Sequence, residues 1–152
     1  MNVRFIKSNE KKEIISKLKE QYGIEELPYL LLETGKEKIR GYSGSLSKEE
    51  LIKIGELANV EIIGLYLIKR EHDLRLSFDA ALALQNQVKH HVLEINDEQF
   101  YKWIRGYDLQ LSQPLAQGTY VIKYKSDFIG CGKSNGKIIF NYVPKDRRIK
   151  KP

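Results

Sequence analysis

The sequence predicts an α+β protein in two parts, an α/β domain over residues 1–78 and a small mixed β-barrel over 79–152. Three observations predict it. Up to about Ser77, helix-period apolar patterns alternate with β-rich runs. From Gly118 onward the pattern changes to period two, with short strands punctuated by glycine, as in small barrels. Finally, 152 residues with 41% hydrophobic side chains are enough for one ordinary core or two small ones, which rules out wholesale disorder.

Val3-Arg4-Phe5-Ile6 reads as a first strand. Ser8-Asn9 caps a charged helix to about Gln21, with Ile14, Ile15 and Leu18 on one face and Gly23 as its stop. Pro28 to Leu32 and Lys38 to Tyr42 are strands, joined by a hairpin turn at Thr34-Gly35-Lys36. Ser47-Lys48-Glu49-Glu50 is a capping box that opens a helix carrying Leu51, Ile52, Ile54 and Leu57 toward the core. Val60 to Lys69 is β-rich, with Gly64 as a bulge or close-packing point, and Leu74-Arg75-Leu76 alternates.

In the second half, Ser77 caps a short helix from Asp79 to Leu84. His91 to Ile95 reads as a strand. Asn96-Asp97-Glu98-Gln99 caps a helix bearing Phe100, Trp103 and Ile104, and Gly106 ends it. Pro114 to Gly118 is loop. Tyr120, Ile122 and Tyr124 then share one strand face, and Val121, Lys123 and Lys125 the other. Phe128 to Gly132 and Lys137 to Tyr142 are strands joined through Ser134-Asn135-Gly136, a strong hairpin signal.

The chain carries 26 basic and 20 acidic side chains, and the excess is uneven. Residues 1–78 hold 14 basic and 13 acidic groups, and residues 79–152 hold 12 and 7. The last twenty residues have seven basic groups against Asp146 alone. A basic surface confined to one half attracts polyanions, nucleic acid foremost. No apolar run approaches the roughly 20 residues of a membrane helix. The N-terminus has no signal-peptide pattern, and the single Cys131 fits a reducing compartment, so a cytoplasmic protein is expected.

Enzyme signatures are weak. Gly130-Cys131-Gly132-Lys133-Ser134 has Asp127 where a phosphate loop needs glycine, and Asn135-Gly136 turns the chain back where that loop needs a helix. The three glycines also miss the dinucleotide spacing. His72, His90, His91 and Cys131 lack metal-ligand spacing, and no histidine is placed to activate Cys131. The sequence predicts no catalytic residues, no metal and no cofactor. Its best binding candidates are tyrosines beside lysines, which can stack on unpaired bases. Lys123 and Lys125 share a strand face. Pro144-Lys145-Asp146-Arg147-Arg148 offers two planar guanidinium forks to phosphates, and its exposed terminal charges are expected to matter little for stability.

Four segments carry a resemblance: Phe100-x-x-Trp103-Ile104-Arg105-Gly106-Tyr107-Asp108-Leu109, Gly118 to Tyr124, Ile129-Gly130-Cys131-Gly132, and Asn141-Tyr142-Val143-Pro144-Lys145-Asp146-Arg147-Arg148. Together they resemble a PUA-type RNA-binding domain. They are similar to the small archaeal PUA proteins grouped with the Nol/Nop/Sun RNA cytosine methyltransferases. Ile63 to Tyr66 and Leu74 to Ser77 also resemble the domain junction of PUA-containing factors for large-subunit ribosome assembly. The resemblance covers about residues 60–148. Residues 1–59 match only in the order of elements, as a pre-PUA α/β domain.

The resemblance implies an RNA groove walled on one side by Arg105, Gly106, Tyr107 and Asp108, and on the other by Lys145, Arg147 and Arg148. The proline-cysteine motif and methyl-donor domain of those methyltransferases are not found in this sequence. The expectation is a non-catalytic binder of structured ribosomal or transfer RNA, acting in ribosome biogenesis or RNA modification, with Lys123 and Lys125 as further phosphate contacts. The more neutral first half is expected to orient the protein or meet a protein partner, such as an RNA-modifying enzyme or an assembly factor. Two other readings stay open: an accessory subunit delivering RNA to a separate modifying enzyme, and a PUA-like barrel that binds a protein or small ligand.

Overall fold

The computed structural model describes residues 3–35, 37–57 and 64–150. They form two five-stranded sheets with helices packed on them. The first sheet runs in sequence order: β1 (Val3–Phe5), β2 (Leu30–Thr34), β3 (Lys38–Tyr42), β4 (Leu65–Arg70) and β5 (Leu74–Leu76), every pair antiparallel. Helix α1 (Ser8–Tyr22) lays Ile14, Leu18 and Tyr22 onto one face of it. Helix α2 (Lys48–Leu57) places Leu51 against Leu32, Phe5 and Tyr42 on the other. Strand alternation lets one sheet serve two cores.

The second sheet has the order β6-β8-β9-β10-β7, from β6 (Val92–Glu94), β7 (Leu109–Gln110), β8 (Gly118–Tyr124), β9 (Asp127–Ser134) and β10 (Ile138–Asn141). It curls into a half-barrel, stoppered by α4 (Asp97–Trp103). Trp103 of α4 is fully buried, packs with Ile122, Ile139 and Leu109, and donates its indole N–H to the Ile129 carbonyl at 2.7 Å. A Cβ on Gly132 would lie 2.5 Å from Ile139 Cγ2 and 2.7 Å from Trp103 Cη2. The indole seats because that strand position has no side chain.

The two sheets share a core. Val121, Phe128 and Cys131 of the second sheet cluster with Leu74, Leu76, Ala80 and Ala81, the two alanines coming from α3 (Phe78–Ala83). Burial pushes the Cys131 thiol up to about 12. Among the described residues, no helix is long and apolar enough to cross a membrane, and no three His, Cys, Asp or Glu side chains gather to hold a metal.

Local chemistry explains most elements. Both expected capping boxes form: Glu50 N–H donates to Ser47 Oγ, Gln99 N–H donates to Asn96 Oδ1, and each returning side chain accepts from the cap backbone. Ser77 Oγ accepts from Ala80 N–H to start α3. Asn135 Oδ1 accepts from Lys137 and Ile138 N–H and closes the β9–β10 hairpin. Gly64 lies against the backbone of Gly41 as a close-packing point.

Several expectations change. Ser8 is the first helical residue and makes no side-chain cap; the N-cap is Lys7. Ile52 is 47% exposed, because Leu51 takes the position facing the sheet. β6 pairs parallel to β8, and β7 was not foreseen: two residues carry no period. The expected strand over 60–63 lies outside the described residues, as do Lys36 of the first hairpin and the side chains, hence the core roles, of Ile54 and Leu57.

Candidate nucleic-acid interface

Where α4 ends, Gly106 turns the chain with φ +93°, a conformation a side chain resists. The turn is then clamped to the last strand. Asn141 donates its side-chain amide to the carbonyls of Trp103 (2.8 Å) and Tyr107 (3.0 Å), and its backbone N–H donates to Asp108 Oδ1 at 2.8 Å. Asn141 Oδ1 accepts from Val143 N–H and bends the chain out of β10. Beyond it a 3₁₀ turn, Lys145–Arg147, leads back toward α4, where Ile149 N–H donates to the Ile104 carbonyl at 2.8 Å.

Between these two walls lies an open cleft of about 360 Å³, lined by Arg105, Tyr107, Lys145, Arg148, Ile149 and Lys150. Four of the six are cations and none is an acid. Arg105, Lys145 and Lys150 have no ion-pair partner among the described residues. Tyr107 and Ile149 are 53% and 57% exposed, so the cleft offers a ring and an aliphatic side chain amid its charges. That set suits an anion joined to a flat apolar group.

The candidate residues divide. Arg105, Tyr107, Lys145 and Arg148 line the cleft, and Gly106 lies under Arg148. A Cβ on Gly106 would sit 2.6 Å from Arg148 Cδ and Nε, while Arg148 Nε donates to the Val143 carbonyl at 3.0 Å. Arg148 therefore braces the turn and lends charge at once. Asp108 is engaged as the acceptor that fixes Asn141. Arg147 points elsewhere: its guanidinium pairs with Asp79 of α3 at 2.9 Å and lies 5.5 Å from the Phe78 ring. The two arginines expected to act alike are thus separated.

Lys123 and Lys125 do not line the cleft, and they do not share a strand face as expected, because β8 ends at Tyr124 and Lys125 turns the chain with φ +54°. Lys123 sits over Phe128 and Lys125 over Tyr124. Tyr124 stacks on Phe100 and donates to Asp97 at 2.7 Å, which holds its phenol above the ordinary value. Sequence reasoning did not single out Asn141, Ile149 or Lys150 for the site. Asn141 carries no signal of its own, since only the bends on both sides of β10 make an asparagine amide necessary.

Residues 90–149 match the family model of the methyltransferase RsmF PUA domain, and so cover the cleft from both walls. This stretch is therefore similar to a PUA domain. It is related to those of the Nol/Nop/Sun methyltransferases, as the motifs imply. The chain is also 33% identical over 86 residues to a ribosomal RNA small subunit methyltransferase F of Shewanella oneidensis. That stretch is 55% of this chain and 18% of the relative, so the chain spans under a fifth of that methyltransferase. The matched stretch includes Arg105 to Asp108 on one side and Lys145 to Ile149 on the other.

Proposed function

We propose that this chain binds RNA through its PUA domain, with the cleft between the α4 turn and the C-terminal segment as the contact. The observation that carries this is the lining, four cations and an exposed tyrosine without an acid. Phosphates meet Arg105, Lys145, Lys150 and Arg148 and supply most of the affinity, while Tyr107 takes an unpaired base or a sugar. An RNA of the small ribosomal subunit is the first to test, because the relative is named for acting on it. The role is binding without catalysis, in ribosome biogenesis or RNA modification. Residues 1–78 act as a pre-PUA domain and 79–152 as the RNA-binding domain.

A second reading starts from the relative, which is named as a methyltransferase. On that reading the chain presents RNA to a modifying enzyme encoded elsewhere, and the enzyme would co-purify with it.

The test is ultraviolet crosslinking of the protein to small-subunit ribosomal RNA, with the adducts located by mass spectrometry. Adducts at Tyr107 and in the 145–150 segment are expected. Adducts confined to other surfaces, or none, would overturn the assignment.

A further inference from the structure

The outer face of the first sheet also carries cations. Leu32 and Thr34 of β2 share that face with Lys38 and Arg40 of β3, through the pairs Leu32–Arg40 and Thr34–Lys38. α2 covers the end at Leu32. Beyond it the face is polar. Arg40 pairs across to Tyr66 on β4, and Lys38 and Arg40 lie 5.6 and 5.8 Å from its ring centre. Arg75 of β5, between buried Leu74 and Leu76, points to the same side and lies 4.1 Å over the ring of Tyr142.

Between Tyr66 and Tyr142 runs a groove of about 150 Å³ with Arg75 in its lining and Pro144 at its edge. Pro144 lines this groove and the next residue, Lys145, lines the PUA cleft. Consecutive Cα atoms are about 3.8 Å apart, so the two depressions adjoin at the 144–145 segment. Asp79 is part of the groove lining and pairs with Arg147, Glu71 pairs with Arg75 at 3.5 Å so that a phosphate there must displace it, and Glu37 pairs with Lys69.

We propose that the RNA path extends over the 144–145 segment onto the first half of the chain, where Lys38, Arg40 and Arg75 hold phosphates of a single-stranded stretch and the Tyr142 ring, 39% exposed, takes a base. The inference rests on the cleft being the RNA site. The adjacency of the two depressions at Pro144 and Lys145 favours one polymer crossing both, where a protein partner would use the sheet face alone. The first half then does more than orient the domain.

The experiment measures anisotropy of labelled single-stranded RNAs of about 4 and about 12 nucleotides against salt, on the 152-residue chain. The 12-mer should show the steeper log–log slope. Lys38→Gln with Arg75→Gln should lower that slope by about 1.4, at about 0.7 per phosphate contact on a single strand, and leave the 4-mer unchanged. Arg75→Lys, which keeps the charge, should keep the 12-mer slope and guards against a folding artefact. If the double variant keeps the wild-type slope on the 12-mer while Arg105→Gln with Lys145→Gln lowers it, the cleft reading stands and the extension falls. If neither length binds, both fall.

Discussion

Arg148 combines two roles that are separable by substitution. Its Nε donates to the Val143 carbonyl and its stem covers Gly106. Arg148→Ala should therefore cost about 1–2 kcal/mol of stability as well as RNA affinity, read by denaturant unfolding. Stability within 0.5 kcal/mol of wild type, the usual range for exposed charges, would show that the brace is absent. Glu10 is the clearest pH-sensitive group. Hydrogen bonds from Arg4 and Arg70 lower its carboxyl from 4.5 to about 2. A folded value below the unfolded one means the stabilisation is complete above pH 4.5 and is lost as pH falls toward 2. Glu10→Gln should flatten the stability curve across that window and cost up to about 1 kcal/mol at neutral pH. An unchanged acid limb would contradict the network. Cys131, buried with its thiol held near 12, should react with a thiol reagent only on unfolding; fast labelling of the native protein would contradict its burial.

At the scale of elements, Gly132 on β9 and Trp103 on α4 form one packing unit. Gly132→Ala brings a methyl within 2.8 Å of the Phe140 carbonyl, which cannot swing away as a side chain tip can. A loss of about 1–3 kcal/mol is expected in denaturant unfolding, and a neutral result would mean the helix is not seated there. Elements with a local signal were legible in the sequence. The period-two run 120–124 became β8, with Tyr120 and Ile122 in one core and Val121 in the other. Both capping boxes and the Asn135-Gly136 hairpin formed because their partners lie within three residues. What was not legible depends on distant contacts. β7 exists only because β10 pairs with it, and Ile52 was lost from the core because the sheet meets α2 at Leu51. In the site, Arg105, Tyr107, Lys145 and Arg148 were readable by type and converge. Arg147 was not, since its direction is set by Asp79, 68 residues away.

Across the whole molecule, one of the apolar clusters spans both sheets while the charge is divided. Cys131 and Val121 of the second sheet pack with residues of the first, so the two halves hold each other in position. The cations of the cleft, Arg105, Lys145, Arg148 and Lys150, share its lining with no acid. The central claim is that this cleft binds RNA chiefly through phosphates. The most direct measurement is a salt titration of RNA binding by the wild-type chain and by Arg105→Gln with Lys145→Gln, with thermal melts alongside. Neither side chain has an ion-pair partner among the described residues, so melting should be unchanged. The log–log slope should fall by about 1.4, and to a similar extent for RNAs of different sequence. A double variant that binds with the wild-type affinity and slope would contradict the account.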